Sequence, residues 1–129
     1  MELSNNMNKI LIIEDEPSLL AALVKKFSQV GFKVFQAKDG QEGLSVALSS
    51  KPDIILLDID MPKMDGITML KKLRAESWGK DVPVIVLTNI NDINKAAETL
   101  IGGVHDYLIK TDWKLEDVVK IVKDRLASK

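Results

Sequence analysis

Four short apolar runs, each closed by a charged or hydroxyl side chain, constrain this chain more than any other feature. Lys9-Ile10-Leu11-Ile12-Ile13 leads into Glu14 and Asp15, Ile54-Ile55-Leu56-Leu57 into Asp58, Val84-Ile85-Val86-Leu87 into Thr88, and Tyr107-Leu108-Ile109 into Lys110. The runs are too short for helices and nearly unbroken in apolar character, which is the pattern of strands buried on both faces of a parallel sheet. Open α/β sheets place their chemistry at the carboxyl ends of such strands. The polar residues that close the runs are therefore expected to converge.

Amphipathic segments fill the intervals. Pro17 suits an early helical position, Leu20, Leu23, Val24 and Phe27 share one face, and Gly31 is the predicted stop. Phe32 to Ala37 reads as a strand, and Gln41 to Leu48 as a weaker helix ended by Lys51-Pro52. A third helix is predicted over Met64 to Ser77 with Ile67, Leu70 and Leu73 inward. A fourth carries Ile93, Ala96, Ala97, Leu100 and Ile101 on one stripe, and a fifth carries Leu115, Val118, Val119, Val122 and Leu126. Strand-then-helix repetition from end to end predicts an α/β fold of (βα)5 type, a doubly wound parallel five-stranded sheet with helices on both faces. Such a sheet reverses its winding once and leaves a crevice there.

With 129 residues and no linker or low-complexity tract, the expectation is a single domain over 1–129, residues 1–8 being a short N-terminal extension. Lys+Arg 18 against Asp+Glu 19 gives a net charge of -1, which points away from nucleic acid and anionic membranes and toward protein partners. There is no cysteine, and the first residues lack the basic head and apolar stretch of a signal peptide, so a cytoplasmic setting is expected.

Three carboxylates sharing one crevice repel. At about 5 Å and an effective dielectric of about 20, each pair costs roughly 3 kcal/mol, a large fraction of a small domain's stability. Such a cluster persists by holding a proton or a divalent cation, and hard oxygen donors few in number favour Mg²⁺. Glu14 and Asp15 form the adjacent pair suited to hold the metal. Asp58, at the tip of the central run, is the best-placed nucleophile toward an activated phosphoryl group.

Ile13-Glu14-Asp15-Glu16, Leu57-Asp58-Ile59-Asp60-Met61-Pro62 with Asp65-Gly66, Leu87-Thr88-Asn89 and Asp106-Tyr107-Leu108-Ile109-Lys110 together resemble the receiver domain of bacterial two-component response regulators, here of the stand-alone kind. The resemblance implies flavodoxin-like strand order 2-1-3-4-5 and phosphoryl transfer from a sensor histidine kinase or histidine phosphotransfer protein. It makes Asp58 the phosphoacceptor, puts Glu14, Asp15, Asp58 and the backbone carbonyl of Asp60 around Mg²⁺, and sets Thr88 and Lys110 on the phosphoryl oxygens. Thr88 and Tyr107 become the switch pair, which reshapes a surface of the fourth helix, fifth strand and fifth helix for a downstream protein target. A homodimer formed on phosphorylation is allowed by the same scheme. A receiver is a phosphoacceptor rather than an enzyme, with at most intrinsic self-phosphorylation and self-dephosphorylation; Ile90, which cannot orient water, predicts that the latter is slow. Thr111 follows Lys110 where receivers commonly carry proline.

The competing reading is an aspartyl-nucleophile phosphatase of haloacid-dehalogenase type, because Asp58-Ile59-Asp60 is a D-x-D at a strand end. That resemblance is weaker: its D-x-D belongs on the first strand, and this chain lacks room for a cap. Simpler roles are expected for His105 (surface or structural), Trp78 and Trp113 (loop packing) and Asp65-Gly66 (turn chemistry), and Ile121 is at the margin of its stripe.

Overall fold

Each apolar run does become a strand. The computed structural model describes residues 8–58, 64–88, 106–109 and 114–127. Within them β1 (Lys9–Ile13), β2 (Lys33–Ala37), β3 (Ile54–Asp58), β4 (Val84–Thr88) and β5 (Asp106–Ile109) form one five-stranded sheet in the order β2-β1-β3-β4-β5. All neighbouring pairs are parallel. The expected order and class are those observed. The expected helix of Ile93 to Ile101, and with it Asp60, Ile90, His105, Lys110, Thr111 and Trp113, lies outside the described residues.

Period-two alternation divides the core between the two faces of the sheet. Leu11, Ile13, Ile55, Leu57, Val84 and Val86 pack with Ala47 of α2 (Gly40–Ser50) and with Met69, Leu70 and Leu73 of α3 (Gly66–Ala75). Ile10, Ile12, Ile54, Leu56, Ile85 and Leu87 pack with Leu23 and Phe27 of α1 (Pro17–Gln29) and with Val118, Val119 and Val122 of the last helix, Leu115–Ala127. Every residue of β3 is buried, so both faces of this central strand contribute, each Leu or Ile being worth about 1.5–3 kcal/mol. Ile121 is partly buried against this second cluster rather than turned out toward a partner.

Local chemistry sets the helix ends. Pro17 opens α1, and the Glu16 carboxylate accepts the Leu19 N–H at 3.2 Å. At its far end Gly31 takes φ +99°, so that its N–H donates to Ser28 and the Phe32 N–H donates to Phe27. That pairing of bonds is a Schellman stop, and the Phe27 and Phe32 rings meet edge to face at 5.1 Å, the apolar contact that accompanies it. α2 runs further than expected, closing at Lys51 in the left-handed region (φ 50°). α3 begins later than the apolar pattern suggested: Asp65 is its N-cap, accepting the Thr68 N–H at 2.8 Å, which leaves Met64 outside. It also stops at Ala75, and a 3-10 turn, Trp78–Lys80, follows. Among the described residues, no helix is long and apolar enough to cross a membrane.

Candidate functional site

The strand register sets the site. Ile13 pairs with Leu57, so Glu14 and Asp58 leave adjacent strands side by side, and Asp58 itself pairs with Leu87, one residue before Thr88. Thr88 in turn pairs with Ile109, the residue that precedes Lys110 in sequence. The carboxyl ends of β1, β3 and β4 therefore meet at one rim, where the sequence predicts chemistry.

Three of the expected residues come together there. One oxygen each from Glu14, Asp15 and Asp58 lie within 4.8 Å of one another. Their environments differ: Glu14 is 0% exposed and Asp58 1%, whereas Asp15 is exposed. Sequence treats Glu14 and Asp15 as an equivalent pair; they follow the end of β1, where Glu14 is buried and Asp15, in a bend, faces solvent. The Glu14 main chain continues the ladder, its N–H donating to Ala37 at 3.0 Å, and its Oε2 accepts the Glu16 N–H at 3.1 Å. At these separations each carboxylate pair repels by about 3 kcal/mol at an effective dielectric of about 20, and less where Asp15 is screened by water.

The donor set suits a small hard cation. Neighbouring and opposite oxygens around octahedral magnesium stand about 3–4 Å apart, so modest rotation of the exposed Asp15, or a retained water, brings these atoms into range. An all-carboxylate set without imidazole or thiolate disfavours softer metals.

Thr88 occupies the last position of β4 and Tyr107 lies within β5, as the sequence reading requires. Asp60 and Lys110 lie outside the described residues. Sequence reasoning missed the turn between β2 and α2. Asp39 there is 5% exposed and caps α2, accepting the Glu42 N–H at 2.8 Å, while Glu42 reaches back to the Lys38 N–H at 2.8 Å. The Asp-x-x-Glu spacing of a capping box was the available signal.

Comparison with known proteins agrees with this architecture. Residues 10–123 match the response regulator receiver domain, and the chain belongs to that family. The DNA-binding dual master transcriptional regulator RpaA of Synechocystis sp. is 36% identical over 104 residues, covering 81% of this chain and 43% of that protein. The transcriptional regulatory protein PrrA of Mycobacterium bovis is 37% identical over 115 residues, covering 89% and 48%. The chain thus spans less than half the length of these curated relatives. Among solved structures, the chemotaxis response regulator CheY4 of Vibrio cholerae superposes with a TM-score of 0.85 at 29% identity, covering 94% of this chain and 99% of that one. The receiver domain of sensor histidine kinase PA1611 from Pseudomonas aeruginosa, with a magnesium ion coordinated in its active site cleft, gives 0.84 at 29% identity, covering 94% and 98%. The chain is accordingly a receiver domain of two-component signalling, and the phosphatase alternative, which needs its D-x-D on the first strand, is set aside by the position of Asp58 on β3.

Proposed function

We propose that the chain acts as one receiver unit that accepts a phosphoryl group on Asp58 from a histidine kinase or histidine phosphotransfer protein. The observation that carries this reading is the buried Asp58 at the tip of the central strand, with oxygens of Glu14 and Asp15 within 4.8 Å. A phosphoacceptor needs a carboxylate held in place and shielded from bulk water, and β3, buried along its whole length, supplies both.

Glu14, Asp15, Asp58 and the backbone carbonyl of Asp60 would hold Mg²⁺. When bound, the ion offsets the charge of the acids and of the incoming phosphoryl group. An Asp58 carboxylate oxygen attacks phosphorus, the P–N bond to the donor imidazole breaks, and the imidazole leaves with a proton taken from water, giving an acyl phosphate. Glu14, buried beside it, orients the cleft, and Asp15 at the rim remains accessible to solvent for exchange. Thr88 and Lys110 bind the phosphoryl oxygens; an ammonium and a hydroxyl favour that charge over the free carboxylate. Drawing the Thr88 hydroxyl toward the new group frees volume for Tyr107, which transmits the change to a surface for a downstream protein or for a second copy of the chain. The same cleft supports self-phosphorylation from small donors and self-dephosphorylation, the latter slowed by Ile90.

Intact mass after incubation with a small phosphodonor and Mg²⁺ tests this. Wild type should gain one labile phosphoryl group and Asp58→Asn none. An adduct that persists in Asp58→Asn, or none in either protein, overturns the assignment.

A further inference from the structure

Two backbone hydrogen bonds tie the turn between β2 and α2 to the acid site. Ala37, the last residue of β2, accepts the Glu14 N–H at 3.0 Å. Gly40, the first residue of α2, donates its N–H to the Met64 carbonyl, also at 3.0 Å. The first N–H groups of a helix have no partner within it and ordinarily go to a cap or to water. Here the Asp39 and Glu42 side chains take the N–H groups of Glu42 and Lys38, and the N–H of Gly40 goes to the chain that follows Asp58.

The contact requires glycine. A Cβ at position 40 would lie 2.1 Å from the Met64 oxygen and 2.8 Å from its carbonyl carbon, and both are backbone atoms. Met64 is fixed on its other side by Asp65, whose carboxylate caps α3. Met64, just before α3, is thus held against the start of α2.

We propose that Gly40 is a positioning residue for the acid site: the β1–β3 register sets how far Glu14 stands from Asp58, and the Ala37–Gly40 turn, bonded to Glu14 on one side and to Met64 on the other, holds the Glu14 backbone in that place. The inference rests on the reading above, that these acids hold magnesium and that Asp58 accepts the phosphoryl group. Gly79 provides the matched contrast. A Cβ there would stand 2.1 Å from the Leu73 carbonyl oxygen, the same steric insult, but beyond the C-terminal end of α3.

Magnesium affinity of Gly40→Ala and Gly79→Ala, each shown folded by circular dichroism, separates positioning from plain stability. Both variants should melt earlier than wild type. Gly40→Ala alone should bind magnesium at least about fivefold more weakly by calorimetry, the lower end of coupling between linked sites, and load phosphoryl more slowly. Wild-type affinity in Gly40→Ala, or equal weakening in Gly79→Ala, overturns the proposal. Should Gly40→Ala fail to fold, amide exchange in the wild type decides: saturation with magnesium should slow exchange of the Gly40 and Glu14 N–H groups and leave that of Gly79 unchanged, and unchanged exchange at Gly40 overturns it. A wild type that binds no magnesium and loads no phosphoryl group refutes the functional reading itself and this inference with it, a result distinct from a selective failure of Gly40→Ala.

Discussion

The two ends of the sheet solve opposite problems. At the amino ends of the strands polar groups are matched: the Lys9 N–H donates to Asp53 Oδ2 at 2.8 Å, the Lys9 ammonium donates to the Ser50 carbonyl at 3.1 Å, and one guanidinium nitrogen of Arg74 donates to the carbonyls of both Gly79 and Val82 at 2.8 Å. At the carboxyl ends like charges are gathered, with oxygens of Glu14, Asp15 and Asp58 within 4.8 Å. Donors facing acceptors hold loops in place. Acids facing acids store repulsion that a ligand of opposite charge releases. A sequence that follows the local rules at one end and breaks them at the other marks the second as the working end.

The sharpest way to break this contrast is Asp58→Asn. In metal-free buffer the variant should be more stable than wild type by about 3 kcal/mol, the repulsion removed from the buried pair with Glu14 at an effective dielectric of about 20. Urea denaturation measures it. Magnesium should then reverse the order, since an ion at a hundred times its Kd stabilises the wild type by about 2.7 kcal/mol and the variant by much less. A variant less stable than wild type in metal-free buffer would show that the acid cluster is not a strained one.

Arg74→Met probes the other end. It keeps the apolar stem but strips two carbonyls of a charged donor, at a cost of about 2 kcal/mol. Burial lowers the Arg74 pKa and the neighbouring Asp81 partly offsets that. Magnesium affinity should be unaffected. If it falls along with stability, the two ends are coupled through the sheet and the contrast drawn between them fails.

How much of this was legible in the sequence follows from the range of each interaction. β1, β3 and β4 announced themselves because strands buried on both faces leave unbroken apolar runs, and the same runs located Glu14, Asp58 and Thr88 at their ends. The end of α1 was legible because Gly31 carries its stop in its own backbone conformation. The start of α3 was misread because Met64 extends the apolar stripe, while the boundary is set by the Asp65 carboxylate on the Thr68 N–H. The role of Arg74 is not legible in the sequence, since its acceptors are carbonyls whose approach depends on the turn at Gly79. The Gly40–Met64 bond joins segments distant in the chain and involves only main-chain atoms on one side and a missing side chain on the other, so no residue pattern encodes it. The inequality of Glu14 and Asp15 arises in the bend beyond β1, where burial depends on segments distant in the chain.

The smallest effect expected lies between the ends, where α1 meets the last helix. Lys26 and Glu116 stand 3.5 Å apart across that contact. The Glu116 carboxyl is held below its ordinary value of 4.5, first by its own backbone N–H and then by Lys26. A depressed carboxylate contributes stability that is complete above its unfolded pKa and is lost as pH falls through its folded one, so this contribution persists at neutral pH and disappears only below the ordinary value. Glu116→Gln should therefore be slightly less stable than wild type at neutral pH, with the difference closing as the pH falls below the ordinary carboxylate value, and about 1 M salt should erase it by shortening the screening length to about 3 Å. Denaturation of both proteins at the two pH values and two salt concentrations checks it. A difference that widens in acid would mean that Glu116 acts by packing, and that the α1 contact belongs with the matched amino end rather than with the solvated surface.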